Sequence, residues 1–280
     1  MTIKRYTATA DNTITNAFKS DLTTRHTGSN AGAADTLEVF SIYGQASATS
    51  EEASRILVNF NIPEVTTDRA AGTIPASGSV KFYLKMYNAT HNKTTPKSYT
   101  IAVQAISQSW EEGNGLDLDT REDLTYDSVG SNWIRRSGVN AWAAAGSSLH
   151  TVPVYNAEFD KGTEDLELDI TTLVEEWLTG ESSGGKDNYG LALKMSGSYE
   201  TGPESYYTKK FFARSSEFFF KRPTLEARWD DSIRDDRGYF YASSSLAPEA
   251  DNHNTLYLRN YVRGKLTNIP YIETGLVYVD

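Results

Sequence analysis

The chain contains no cysteine in 280 residues, which excludes a disulfide framework, a thiolate nucleophile and a cysteine-ligated zinc site. It also lacks any run of about eighteen apolar residues, so no membrane-crossing helix is expected and no membrane partner. Met1-Thr-Ile-Lys-Arg-Tyr6 has no apolar core of a secretion signal, and the expectation is a protein made in the cytosol that stays soluble there. Histidine is scarce. His26, His91, His150 and His253 are scattered among polar residues with no paired spacing and no Ser/His/Asp arrangement, so they read as surface or loop residues. Positive charge is in deficit, with 27 Lys and Arg against 37 Asp and Glu and a net charge of −10. That balance argues against a duplex-binding surface, because such binding rests on neutralising phosphates, and with no basic patch demanded by the sequence no nucleic-acid partner is expected. Gly184-Gly185 stands beside Lys186 without the spacing of a phosphate-binding loop and reads as a linker.

What the chain does have is aromatic side chains, 17 Tyr, 11 Phe and 5 Trp, a share suited to sheets. Its length buries about three-quarters of the unfolded surface, enough for one sizeable sandwich and a small second unit. Short alternating or apolar runs recur between Gly, Ser, Asn and Pro clusters, which is the pattern of an all-β sandwich or barrel. The clearest are Thr36–Tyr43, Arg55–Phe60, Val80–Tyr87 and Thr100–Ile106, with further strands expected at Leu166–Asp169, Tyr189–Lys194, Phe211–Arg214 and Pro223–Trp229. Within the third run, Val80, Phe82, Leu84 and Met86 share one face and Lys81, Tyr83, Lys85 and Tyr87 the other. Residues 66–78 and 181–186 read as connections. Residues 109–152 form the longest irregular stretch, and loops of that length are usually functional or interfacial.

One short helix is expected in Asp169-Ile-Thr-Thr-Leu-Val-Glu-Glu-Trp-Leu-Thr-Gly180. Asp169 or Thr171 would cap it, Leu173, Val174 and Trp177 would share its buried face, and Gly180 would stop it. Composition shifts after Trp229, so the expected division is a sandwich over residues 1–230 and a smaller β segment, or the start of an Ig-like domain, over 231–280. Strand-like runs there are Gly238–Ala242, Thr255–Arg263 and Leu276–Asp280. The last would pair with another subunit or continue into a longer protein.

Five motifs in order carry a resemblance: Arg55-Ile-Leu-Val-Asn-Phe-Asn-Ile-Pro63, Ser109-Trp-Glu-Glu-Gly113, Asp169 to Trp177, Asn188-Tyr-Gly-Leu-Ala-Leu-Lys194, and Phe212-Ala-Arg-Ser-Ser216 with Arg222-Pro-Thr-Leu225. This succession, over residues 6–229, resembles the DNRLRE domain. The resemblance implies a jelly-roll-like β-sandwich of a kind found in surface and secreted proteins, some of them classed as carbohydrate-binding modules. Asn254-Thr-Leu-Tyr-Leu-Arg-Asn-Tyr-Val-Arg-Gly264 is similar to segments of tailed-bacteriophage structural proteins, marine ones above all. That implies a non-enzymatic virion component of tail, neck or capsid decoration, assembled in the host cytoplasm, with copies of itself and other virion proteins as partners. The alternative is a carbohydrate-binding module, or a virion protein that also touches host polysaccharide.

Candidate site residues follow from these two readings. Trp133 and Trp142, in the long polar stretch, and Tyr206 and Tyr207 are the aromatics that could stack on a sugar or line an interface, while Trp110 reads as core. Strand alternation through Phe218-Phe-Phe220 would expose Phe219 if its neighbours are buried, making it a partner-surface candidate. Asp117, Asp119 and Asp123 lie in a Gly-containing acidic loop that could hold calcium, although the spacing matches no EF-hand and a solvated acidic loop is the plainer reading. No other cofactor is expected. Paired carboxylates cannot be singled out for glycoside hydrolysis. Asn88-Ala-Thr90 and Asn92-Lys-Thr94 match the glycosylation triplet but read as polar loop in a chain expected to stay in the cytosol.

Overall fold

A computed structural model describes residues 1–91, 96–116, 129–232, 235–239, 245, 246, 248, 252 and 254–267. The chain divides into two compact units, Thr2–Asp230 and a smaller one continuing from Asp231.

In the larger unit the strands are β1 (Thr2–Thr7), β2 (Ala10–Thr15), β3 (Thr36–Tyr43), β4 (Glu51–Asn59), β5 (Val80–Met86), β6 (Tyr99–Ile106), β7 (Leu149–Phe159), β8 (Leu166–Asp169), β9 (Leu191–Met195), β10 (Tyr206–Phe212) and β11 (Thr224–Trp229). They form two antiparallel sheets. The smaller has the order β1-β11-β5-β8, and the larger runs β10-β3-β4-β9-β6-β7 with β2 also on β4. If β2, β3 and β10 are set aside, eight strands remain in which first pairs with last, second with seventh, third with sixth and fourth with fifth. This is jelly-roll connectivity, a long hairpin rolled into two sheets. The three other strands widen the large sheet.

The alternation in β5 is as read from sequence: Val80, Phe82, Leu84 and Met86 are buried in the core between the sheets. The large sheet is different, because its centre is covered on both sides. Ile56 and Val58 point into the inter-sheet core while Leu57 points away, yet all three are fully buried. Leu191, Ala192 and Leu193 on β9 repeat the pattern. A strand buried on both faces has no polar side to show, which explains these unbroken apolar runs. The outer cover comes from the stretch after β6, whose Trp142 packs with Ile14, Leu57, Ile106 and Ala192, with Trp110 and Trp133 alongside.

β4 changes partner along its length: Glu51–Ala53 pair with β3, and Ser54–Asn59 pair with β2. Where β3 departs, side chains complete the ladder. Ser54 Oγ accepts the Phe40 N–H at 2.9 Å and donates to the Glu38 carbonyl at 3.0 Å, and Thr13 Oγ1 accepts the Glu38 N–H at 3.1 Å.

Helical content exceeds the single piece expected. α1 (Ile62–Ala70) occupies what reads as the start of a connection, and α2 (Thr171–Thr179) and the short α3 (Ser198–Thr201) follow. α1 opens with Pro63 at its first turn and Glu64 behind it, both suited to a helix start, and buries Ile62 and Val65. Its β-branched Val65-Thr66-Thr67 run masks the helix in sequence. Arg69 joins it to α2 through both oxygens of Glu175, at 2.8 and 2.7 Å. α2 buries Leu173, Val174 and Trp177 and stops at Gly180, whose φ of +75° suits glycine. Ile170 occupies the cap position. Asp169 accepts the Thr171 N–H and hydroxyl at 3.0 and 2.6 Å, but no side chain caps the helix, so neither Asp169 nor Thr171 is the cap that the sequence leads one to expect.

β7 begins inside the stretch read as irregular, and β10 starts five residues before the strand expected at Phe211. In the second unit Thr255–Arg263 is not one long strand. It contributes Tyr261–Val262 (β12), which pairs with Lys265–Leu266 (β13) across Arg263-Gly264. Both turn residues have positive φ, 52° and 78°, as a two-residue hairpin requires. The run Leu276–Asp280 lies outside the described residues, as does part of Gly238–Ala242.

Candidate interaction surface

The connection between β10 and β11 is polar at its root and aromatic at its tip. Ser216, nearly fully buried, accepts the Phe218 N–H on its hydroxyl and the Arg222 Nε–H on its carbonyl, at 3.2 and 2.9 Å. The Lys221 N–H closes on the Phe218 carbonyl at 2.8 Å, and Phe219–Lys221 make a single 3-10 turn. Alternation is therefore the wrong rule for this segment. All three phenylalanines point outward, with exposures of 49%, 59% and 85% for Phe218, Phe219 and Phe220.

The rings are ordered among themselves. Phe218 meets Phe212 edge-on with centroids 5.3 Å apart, and Phe219 meets Phe220 in the same way at 5.5 Å. Two cations lie over them: Lys221 Nζ is 4.8 Å from the Phe212 ring and 5.2 Å from Phe218, and the Arg222 guanidinium is 5.3 Å from Phe219. Large, exposed rings locked by mutual contact and by cations lose little conformational freedom when covered. Such side chains are what the centres of protein interfaces are made of.

The root is fastened to the rest of the sandwich by residues from two of the quoted motifs. Arg214 holds Glu112 with Nε–Oε1 3.1 Å and Nη2–Oε2 2.6 Å, and its N–H donates to Asp11 Oδ2 at 2.5 Å. The Asp11 N–H in turn donates to Glu112 Oε1 at 2.8 Å. Burial pushes the Asp11 carboxyl up to about 7, and Glu112 adds to the shift, while the Arg214 amide and guanidinium oppose it. The pattern Ser-Trp-Glu-Glu marked Glu112 in sequence, but nothing local pointed to Asp11 in a strand 101 residues away.

The four other aromatic candidates separate. Trp142 is 6% exposed and donates its indole N–H to the Asn132 carbonyl at 2.9 Å, so it is core and not a stacking platform. Trp133 is half-buried. Its ring faces the Arg55 guanidinium at 5.0 Å and lies so close to Gly146 that a Cβ there would meet it at 2.8 Å. Arg55 is itself held by Glu200 and the Gly146 carbonyl, at 2.9 and 2.6 Å. The long stretch thus spends its tryptophans on covering the large sheet. Trp110 belongs to the same layer, as its core reading implies, and donates to the Tyr189 carbonyl at 2.7 Å. Tyr206 is buried at 6% exposure, edge-on to Tyr199 and bonded to Glu204 at 2.8 Å, and burial with that bond pushes its hydroxyl up to about 12. Tyr207, on the opposite face of β10, is 51% exposed.

Asp117, Asp119 and Asp123 lie outside the described residues, as does Asn92-Lys-Thr94. Among the described residues no three His, Asp or Glu side chains gather as metal ligands do. The second unit carries an open groove of about 980 Å³ bordered by Asp235, Arg237, Tyr239 and Tyr257. Within it Arg237 Nη2 meets Asp235 at 2.6 Å. Neither a scan against protein-family models nor a search of curated proteins returns a match for this chain.

Proposed function

We propose that the protein is a non-enzymatic structural component of a tailed-phage virion, in tail, neck or capsid decoration, and that it acts by seating the Phe218–Phe220 surface on a neighbouring virion subunit. The observation that carries this reading is the array of three consecutive, outward phenylalanines on a turn tied to the sandwich by Arg214, Glu112 and Asp11. An apolar cluster of this kind is costly to leave in water and gains when a partner covers it. The jelly-roll connectivity agrees with the DNRLRE resemblance of residues 6–229, and the tailed-phage resemblance of 254–264 supplies the setting.

The test is to purify particles from the phage that encodes the chain and measure the chain's copy number, together with assembly and infectivity when its gene is deleted. A fixed copy number and defective particles are expected. Absence from particles, or normal assembly and infection without it, defeats the proposal. A glycan array separates the carbohydrate-binding alternative: no signal is expected, and a signal abolished by Tyr207→Ala would favour that alternative instead.

A further inference from the structure

We propose that Lys209 and Asn88 join through their side chains in a self-formed isopeptide bond that ties β10 to the chain just after β5. Lys209 stands where strand geometry leaves its side chain no water. In β10, Lys209 shares the inward face with Phe211, and its side chain is fully buried. Its Nζ lies 4.9 Å from the Phe159 ring centroid and 5.0 Å from that of Phe211. Three oxygens meet it, Asn88 Oδ1 at 2.7 Å, the Glu164 carbonyl at 2.7 Å and the Gly162 carbonyl at 3.1 Å. All three are neutral. A buried ammonium whose direct contacts are all neutral is a large desolvation cost for a fold to carry, and conversion to an amide removes the charge altogether.

The geometry is that of reactants held for amide exchange. Nζ lies within hydrogen-bond distance of Asn88 Oδ1, and the next atom along is the Cγ that it would attack. Asn88 is fixed on its own side by its N–H, which donates to Asp165 Oδ1 at 2.8 Å, and by its bridge to Phe211. Burial lowers Lys209 to about 8, so a useful share of it is the neutral amine at ordinary pH. Glu164, whose backbone carbonyl accepts from Nζ, is the residue proposed to carry the proton on its carboxylate. Its Oε1 is pinned by the N–H groups of Asp160 and Lys161 at 3.0 and 2.6 Å, and its Oε2 is buried with no hydrogen-bond partner among the described residues. Its charge is felt by Lys209.

In the reaction the Nζ lone pair attacks Asn88 Cγ and forms the new C–N bond. The Glu164 carboxylate takes a proton from Nζ and returns it to Nδ2, the Cγ–Nδ2 bond breaks, and ammonia leaves. No oxidant, reductant or further reactant is needed. Holding amine and amide together replaces an encounter that is negligibly slow in solution. The product closes a loop between residues 121 apart and links a strand of the large sheet to the chain leaving the small one. It would restrict the unfolded chain. It also removes Asn88 from the pool of glycosylation acceptors.

The test is the intact mass of the full chain under denaturing conditions, followed by tryptic mapping. The expected result is a mass lower than the sequence mass by one ammonia, and a branched peptide joining the Asn88 and Lys209 segments. Lys209→Met and Asn88→Ala should each restore the mass expected for their sequence, and Glu164→Gln should fold and keep the ammonia. A wild-type chain at full sequence mass with tryptic cleavage after Lys209 overturns the proposal. So does a deficit that persists in Lys209→Met, and ammonia loss undiminished in Glu164→Gln overturns the role given to Glu164.

Discussion

Glu112 and Arg214, 102 residues apart in sequence, meet in a two-pronged ion pair that fastens the stretch covering the large sheet to the root of the Phe218–Phe220 turn. Arg214→Met leaves the Glu112 and Asp11 carboxyls side by side without their cation. Charge-assisted bonds of this kind are worth about 1.5–3 kcal/mol each, and partial exposure of the pair places the expected loss toward the low end. Urea unfolding of the variant against wild type at neutral pH measures it. No loss of stability would mean the pair is ornamental.

Asp11 gives this cluster a pH signature. Its folded pKa is raised, to about 7, against an unfolded value of about 3.9. The folded state therefore holds a proton that the unfolded state has released. This group favours folding fully below the unfolded value, loses that contribution as pH rises through the interval, and adds nothing more above about 7. Asp11→Asn keeps an acceptor for the Arg214 N–H without the charge. The difference in melting temperature, variant minus wild type, is expected to be positive at pH 8 and to shrink toward zero near pH 4. A difference flat across that range would contradict the shift.

Trp142 and Gly146 test the covering layer. Trp142→Ala should cost about 3–5 kcal/mol, as truncation of a buried large ring does. Gly146→Ala forces a side chain onto a residue with φ of +78° and into the Trp133 ring, and is expected to destabilise by about 1 kcal/mol or more. Chemical denaturation reads both. A stable Trp142→Ala protein that had lost sugar binding would reverse the assignment of this tryptophan to the core.

The fold was largely legible because strand alternation is written locally: Val80 to Met86 needed no partner to be read. What escaped depended on contacts distant in sequence. Trp133 and Trp142 stand among small and polar residues, the local look of a loop, yet face the apolar outer side of β4 and β9. Phe219 is exposed as alternation leads one to expect, but Phe218 and Phe220 are exposed as well, because the segment is a turn whose bonds to Ser216 are invisible in composition. Lys209 did leave a trace, since alternation with Phe211 places it inside. Its oxygen partners come from residues 88, 162 and 164, which no local pattern joins.

The Phe219→Ser, Phe220→Ser double variant separates folding from interaction. Both side chains are more than half exposed, and substitutions on such surfaces usually stay within about 0.5 kcal/mol. Unchanged urea unfolding is the expected outcome, with higher solubility. A marked loss of stability would show that the rings serve the sandwich itself.

The most direct measurement is the number of copies of this double variant in purified phage particles, counted beside wild type by quantitative mass spectrometry. The proposed role predicts that wild type is incorporated at a fixed copy number and that the folded variant is largely excluded. Incorporation of the variant at the wild-type level would contradict a subunit contact made through Phe218–Phe220.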